Sequence, residues 1–467
     1  MEQNQKLSTD FTHNTQLIDK LLRADESFDL LRRDIEICKR KARLYMIDGL
    51  VKDAVMGKMM IFFFGLKDES FFTDADTFLR NCIPYTEANT EQDPLKTVQN
   101  ILSGIAALVI DGFDTVFMID TRTYPQRETS EPDNDKVMRG SKDGFVETII
   151  SNVALLRRRI RDANFTVKPF SVSTSSKSDV VLCYMDNKVD KKLLASITER
   201  IKSVKVDSLA MNQQSLVEAI YPKKWYNPFP KIKYTERPDS AAANAIKGNI
   251  IILVDNSPSA LILPTSIFDI TEEADDYYFP PLTGSYLKIA RYLIFLTAIF
   301  ITPLWLLMKQ NPSFVPDSLM FIIADNQYNI PIFWQLIILE IAIDGLRLAA
   351  LNTPTSLSGT MGIIGAIALS EFTVQVGWFS TEAILYMAFV TIAGFSQPNY
   401  ELNYCAKFIR MFLLTLTVIF NLWGFAAGLI ITLILLVTNK TVSGKSYLYP
   451  LIPFSGKAFL KKVLRLR

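Results

Sequence analysis

Apolar positions change their rhythm once along this chain, near Tyr286. Before it, short apolar runs alternate with charged stretches; after it, long runs carry almost no charge, and none at all from Tyr292 to Met308 or from Met411 to Thr438. About 20 consecutive apolar residues is what a bilayer core asks of a helix, because every backbone N–H and C=O there must be satisfied inside the segment. The pattern predicts a soluble part followed by a membrane part.

In the soluble part, Ala106 to Ile110 and Val116 to Ile119 read as a strand pair turning at Asp111-Gly112, and Val180 to Met185 reads as a buried strand. Ile250 to Val254 and Ala260 to Leu263 read as a second hairpin around Asp255 to Pro258. Helical spacing is read over Phe28 to Phe72, from Leu44, Ile47, Val51 and Val55, then over Asp143 to Ile160 and from Leu193 to Ile201. The expected fold class is mixed: a soluble α/β part in two subdomains, then an all-α polytopic membrane domain. The expected divisions are a disordered tail over 1–25, subdomains over 26–190 and 191–285, a transmembrane helical domain of four to five spans over 286–440, and a basic cytosolic tail over 441–467.

Five apolar segments follow Tyr286: 287–308, 330–351, 357–379, 381–395 and 411–438. The last is about 42 Å long at 1.5 Å per residue, more than one crossing needs, so a tilt or a bend near Gly424 and Gly428 is expected. Five full crossings place the tail outside, whereas Lys457, Lys461, Lys462, Arg465 and Arg467 belong on the cytosolic side. Either one segment does not cross, 381–395 or the charged 330–351, or the tail is an exception to that rule; the first is expected.

Composition adds an asymmetry. The chain of 467 residues holds 50 Lys plus Arg and 48 Asp plus Glu; 13 and 7 of these lie from Tyr286 onward, leaving 37 and 41, so the two parts carry −4 and +6. A mildly acidic soluble part excludes nucleic acid as an expected partner. Its one basic run, Arg157-Arg158-Arg159-Ile160-Arg161, reads as a solvated helix face or an intersubunit contact. Cys38, Cys82, Cys183 and Cys405 have no metal or disulfide spacing, and His13 is the only histidine, so no metal, cofactor, catalytic residue or enzymatic activity is expected. The polar start, Met1 to Lys6, resembles no signal peptide, and Lys288 and Arg291 before the first span fit a cytosolic N-terminal part.

Glu340, Asp344 and Arg347 interrupt an apolar helix at spacings that put them on one face. Charges facing lipid cost several kcal/mol, so this face should meet protein or water, with Arg347 paired to Asp344 or Glu340. Such a face suits either an ion path or a structural ion pair. Gly359, Gly362 and Gly365 recur at three-residue intervals in the next segment, which fits close helix packing. It also fits a pore lined by Gly359, Thr360, Met361 and Ile364 with a carboxylate ring at Glu371. Thr235-Glu236-Arg237-Pro238-Asp239 reads as a structural motif that starts a helix at Pro238.

Several of these residues carry a resemblance. Thr235 to Asp239, the run from Glu131-Pro132-Asp133 to Val137-Met138-Arg139-Gly140 with Asp143-Gly144-Phe145, and the Arg157 to Ile160 helix resemble the GerA family of spore germination proteins, A-subunit type, from about Phe28 to Leu460. Thr123 to Arg127, Ala350 to Thr355 and Tyr447 to Phe454 narrow the likeness to one branch of it. There, Asn352 to Thr355 replace an Arg-Leu-Pro-like stretch of receptor subunits, which speaks against a direct role in nutrient reception; no nutrient pocket is carried over, because the resemblance does not imply nutrient binding by A subunits. The resemblance implies a multi-pass protein of the inner spore membrane with its N-terminal domains in the spore core. It further implies a homo-oligomer, a pentamer in the family, that passes monovalent cations early in germination through a pore lined by Leu357 to Glu371, in company with other germination membrane proteins. The alternative is a non-conducting scaffold for germination receptor complexes, and secondary transport is disfavoured because no internal repeat is visible.

Overall fold

The computed structural model describes residues 6–124, 141–204, 206, 212–221, 227–273, 275–323, 328–352, 365 and 371–464. The chain divides into two compact units, Met1–Lys223 with Tyr234–Pro264, and Lys224–Lys233 with Thr265–Arg467. Each is taken by itself.

The first unit opens with α1 (Phe11–Leu22), whose Asp10 caps the Thr12 amide and whose Leu17, Ile18 and Leu22 are buried. The expected disordered tail thus holds an ordered helix: its three apolar residues fall on one face of an otherwise polar segment. Strands β1 (Leu30–Ile37) and β2 (Arg40–Ile47) follow as an antiparallel hairpin, where the sequence is read as helical. Cys38 and Lys39 turn it with φ of 51° and 64°, the paired positive values of a tight two-residue hairpin turn. Helical spacing is realised only afterwards, in α2 (Asp53–Gly65) and α3 (Ala75–Cys82).

With β3 (Ala88–Glu91), α4 (Pro94–Leu102), β4 (Ala106–Ile110) and β5 (Val116–Ile119), the first sheet has the order β1-β2-β4-β5-β3. Phe63 and Phe78 of α2 and α3 pack with Leu44, Leu108 and Phe117 on one face. Ile18, Leu22, Ile101 and Leu102 of α1 and α4 pack with Tyr45, Ile47, Val109 and Met118 on the other. Both faces are covered, and that is why β4 and β5 read as unbroken apolar runs.

The second sheet follows α5 (Ile149–Arg159). Its elements are β6 (Phe165–Val172), β7 (Ser178–Met185), α6 (Lys191–Ser203), α7 (Asn212–Ile220), β8 (Lys233–Thr235), α8 (Pro238–Ile246), β9 (Ile250–Val254) and β10 (Ala260–Leu263). Strand order is β6-β7-β9-β10-β8, so the sheet draws strands from both sides of position 190, where the sequence places a subdomain boundary. The run at 180–185 is a central strand of this sheet, between β6 and β9, and the change of sheet falls before β6. α5 and α8 cover one face, with Leu156, Ala241 and Ala245 against Val167, Cys183 and Ile251.

The two sheets are joined by a buried charge. Arg157 donates from Nε to Asp29 at 2.8 Å and from an η nitrogen to Ser27 Oγ at 3.0 Å, both side chains of the ion pair are fully buried, and the Phe28 amide reaches the Val167 carbonyl at 3.1 Å. The basic run is therefore neither a solvated face nor exposed for a subunit contact at this residue. Arg158 lies over the Tyr124 ring at 4.5 Å, and Arg159 pairs with Asp143 at 2.7 Å. Burial works against the Asp143 charge, but the Ser141 hydroxyl and Arg159 hold its carboxyl below the usual range.

In the second unit, two short helices, α9 (Ile267–Ile270) and α10 (Asp275–Tyr278), precede α11 (Pro281–Gln310). Then come α12 (Ile332–Asn352), α13 (Glu371–Gln375), α14 (Thr381–Phe395), α15 (Tyr400–Thr438) and α16 (Gly456–Val463). Among the described residues, α11 and α15 are long and apolar enough to cross a membrane. α12 has the length but carries three charges, and α14 has 15 residues. Lys288 and Arg291, read as a cytosolic flank, are buried: Lys288 pairs with Glu272 at 3.4 Å, and Arg291 with Asp276 at 2.9 Å and with Glu273.

α15 is two helices. At Asn421 the backbone leaves helical geometry, with φ 51° and ψ −132°, so Tyr400–Phe420 and Leu422–Thr438 form arms of about 30 and 25 Å. Asparagine tolerates positive φ better than most side chains. The arms fold back on each other: a Cβ at Gly428 would stand 2.8 Å from the Leu413 side chain, residues about 22 Å apart on a straight helix. A Cβ at Gly424 would collide with the Leu416 carbonyl, so glycine permits the close return. Asn421 exchanges two amide hydrogen bonds with Asn311, at 2.5 and 3.1 Å, which pins the turn beside the end of α11.

This return disposes of the conflict over the tail. The second arm brings the chain back to the start of α11, where the Ile267 amide meets the Tyr447 carbonyl at 3.2 Å and Lys462 pairs with Asp269. Burial opposes both charges of that pair, yet Lys462 holds Asp269 below its usual range and Asp269 raises Lys462. A segment taken as one span is two antiparallel arms, so the basic tail and the start of α11 share one end of the unit, in keeping with the positive-inside rule. With Cys38 changed to Ser, a cysteine at exposed Lys457 is expected to react with an impermeant maleimide from one side of a sealed vesicle, and one at exposed Ser313 only from the other. Labelling of both from one side would overturn the hairpin.

Candidate functional site

Charged residues inside the membrane unit gather where α12, α14 and the first arm of α15 meet. Glu340 and Asp344 come from α12, one turn apart; Lys407 and Arg410 come from α15, likewise one turn apart. Arg410 pairs with Glu340 and Lys407 with Asp344, and Lys407 lies 3.8 Å from Glu340. Arg410 also donates to the Ala298 carbonyl of α11 at 2.6 Å. Glu340 and Arg410 are 6% and 4% exposed, so this pair is the sealed centre of the cluster.

Arg347 does not pair as expected. Its guanidinium carbon stands 4.8 Å from the Phe395 ring and 5.5 Å from the Tyr404 ring, and among the described residues no carboxylate lies within ion-pair distance. The carboxylates it might have used are taken by α15, whose long cations reach them from across the helix interface. Lys407 and Arg410 went unread in the sequence, although their three-residue spacing just before the uncharged run is about one helical turn, as is the four-residue spacing of Glu340 and Asp344.

Three cations against two carboxylates leave the cluster at +1, and both carboxylates are engaged. A cation path needs acceptors free to replace hydration, so the described interior of one copy is a poor route for K⁺ or Na⁺. Of the expected pore residues, Gly359, Thr360, Met361 and Ile364 lie outside the described residues. Glu371 begins α13, its side chain lies outside the description, and past that helix the Gly377 carbonyl accepts from the Asn329 amide. Gly365 is described: a Cβ there would run into the Leu346 side chain of α12, so this point of the segment sits hard against that helix.

Thr235 to Asp239 lies in the first unit. Arg237 is fully buried, pairs with Asp239 at 2.6 Å and donates to the Ser141 carbonyl at 2.9 Å, while the Phe145 amide donates to the Glu236 carbonyl at 2.8 Å. Two separated sequence motifs, 141–145 and 235–239, are thereby one docking point that seats the start of α8. Among the described residues no group of three His, Cys, Asp or Glu side chains could hold a metal ion.

A family model described as Bacillus/Clostridium GerA spore germination protein matches residues 16–467. The chain belongs to the GerA family. Among its GerA relatives, Stage V sporulation protein AF of Bacillus subtilis (strain 168) is 36% identical over 443 residues, covering 94% of this chain and 89% of that protein. Spore germination protein A1 of the same organism is 28% identical over 408 residues, covering 86% and 83%. The crystal structure of the N-terminal domain of the A subunit of the Bacillus megaterium spore germinant receptor GerK3 aligns with 22% identity and a TM-score of 0.40, over 56% of this chain and 97% of that one. Two of the motifs that suggested the GerA family, Asp143-Gly144-Phe145 and Thr235 to Asp239, are thus joined at the start of α8.

Proposed function

We propose that this GerA-family protein is one subunit of an oligomeric assembly in the inner spore membrane, its first unit facing the spore core, that passes monovalent cations early in germination. Germination and membrane follow the family. Conduction is carried by one observation: the charged face of α12 is engaged within a single copy, with a net positive charge, so a cation path is left to surfaces between copies. The stretch 353–370 suits that place, being free of charge and glycine-bearing, with Glu371 directly after it. In this reading Gly359, Thr360, Met361 and Ile364 line the narrow part and Glu371 forms the carboxylate ring, with five copies by family likeness.

The test is potassium efflux from liposomes holding the full-length protein. Met361→Ala with Ile364→Ala is expected to raise efflux several-fold, and Glu371→Gln to lower it several-fold, at equal assembled protein. Unaltered efflux in assembled variants, or a monomer by native mass measurement, would sink the proposal. A scaffold reading draws on a different observation, the exposure of Ile61 at 75% and Phe64 at 55% on α2, an apolar face suited to another germination protein. It expects the same pore substitutions to act only when they lower protein level.

A further inference from the structure

One cation of the intramembrane cluster is left over. Arg347 has a buried Nε without a hydrogen-bond partner, and the two carboxylates nearby are held by Lys407 and Arg410. The rings of Phe395 and Tyr404 attract its charge but accept nothing from its in-plane N–H groups. A guanidinium does not shed its proton in a protein, so titration offers no relief. The sequence offers none close by either: 353–370 contains no Asp or Glu. A cleft of about 30 Å³ opens at this spot, lined by Arg347, Asn403, Tyr404 and by the paired Lys407, Asp344, Arg410 and Glu340 among others, so the two carboxylates at its wall are already neutralised. That is room for about two oxygen atoms, with the rest of a larger group left in the open mouth of the cleft.

We propose that this cleft binds a phosphate-type oxyanion. Arg347 supplies the unused N–H and the uncompensated charge, Lys407 adds charge while paired with Asp344, and Asn403 supplies a neutral amide donor. The place fits a lipid headgroup, because Arg347 lies about 8 Å from the end of α12, beside the α14–α15 connection, and basic pockets between membrane helices take anionic headgroups there. Inorganic phosphate offers the same chemistry from water. The inference does not depend on conduction: a bound anion completes the cluster in a channel subunit and in a scaffold alike.

The test uses the full-length protein in two settings: nanodiscs of phosphatidylcholine with or without phosphatidylglycerol, and detergent with inorganic phosphate or sodium chloride at equal ionic strength. The thermal midpoint is expected to rise by about 5 °C with the anion, as for any ligand that binds only the folded state. Arg347→Gln should lose most of that rise, and Lys440→Gln, at an exposed lysine outside the cleft, should keep it. A rise with phosphatidylglycerol alone assigns the site to lipid, and a rise with phosphate as well assigns it to either source. Should Arg347→Gln fail to fold, Arg347→Lys, which keeps the charge without the Nε, is expected to lose at least half of the rise. No rise in either setting, or an equal rise in the Arg347 variant, overturns the proposal.

Discussion

Glu340→Ala is expected to lower the thermal midpoint of the full-length protein in nanodiscs by about 10 °C. The substitution strands Arg410, 4% exposed, in the middle of the membrane unit with only the Ala298 carbonyl to meet it. Removing one partner of a buried pair costs about 3–5 kcal/mol, most of it the price of an uncompensated charge rather than of a lost attraction. Asp344→Ala should cost less than half as much, because the Asp344 side chain is 33% exposed and Lys407 can turn to Glu340. The double variant Glu340→Leu with Arg410→Leu should recover much of the loss, since it removes both charges. An Asp344 variant as damaged as Glu340→Ala, or a double variant worse than the single, would show that the pair is not what seals the three helices.

In the first unit the largest effect is expected at the joint between the sheets. Asp29→Ala leaves Arg157 fully buried with Ser27 Oγ and the Asp162 carbonyl as its remaining partners. The cost is again about 3–5 kcal/mol, which for a domain of this size shifts the midpoint by about 10 °C. Asp29→Asn should cost less, as the amide oxygen still accepts one hydrogen bond. Amide exchange can tell this from a surface effect: protection should fall at β6 and around Phe28, where the Phe28 amide meets Val167, and should hold at β4 and β5. A loss of protection confined to the β1–β2 turn would contradict the assignment of Asp29 and Arg157 as the joint.

How far the sequence disclosed this fold follows from what each segment faces. β4, β5, β7, β9 and β10 are legible because strands covered on both faces become continuous apolar runs. β1 lies at the edge of its sheet, so Arg32, Arg33, Asp34 and Glu36 sit in it without cost, and its turn at Cys38-Lys39 lacks the usual glycine or asparagine. Helical spacing could be drawn through it for that reason. The hairpin in α15 hid for the opposite reason: nothing polar marks it except Asn421, and in a long apolar run one asparagine carries little weight until its partner Asn311 is seen. At the charged cluster, Glu340 and Asp344 announced themselves by interrupting an apolar helix. Lys407 and Arg410 lie before their uncharged run rather than within it, so they interrupted nothing.

The hairpin also has a bearing on how the protein is made. Its arms are antiparallel and in contact where Gly424 and Gly428 of the second meet Leu416 and Leu413 of the first. A ribosome feeding this segment into a bilayer delivers the first arm before the second. The first arm must therefore wait, with Leu413 and Leu416 uncovered, until Gly424 and Gly428 of the second arm arrive. Insertion of the two arms is therefore a paired event in the life of the nascent chain.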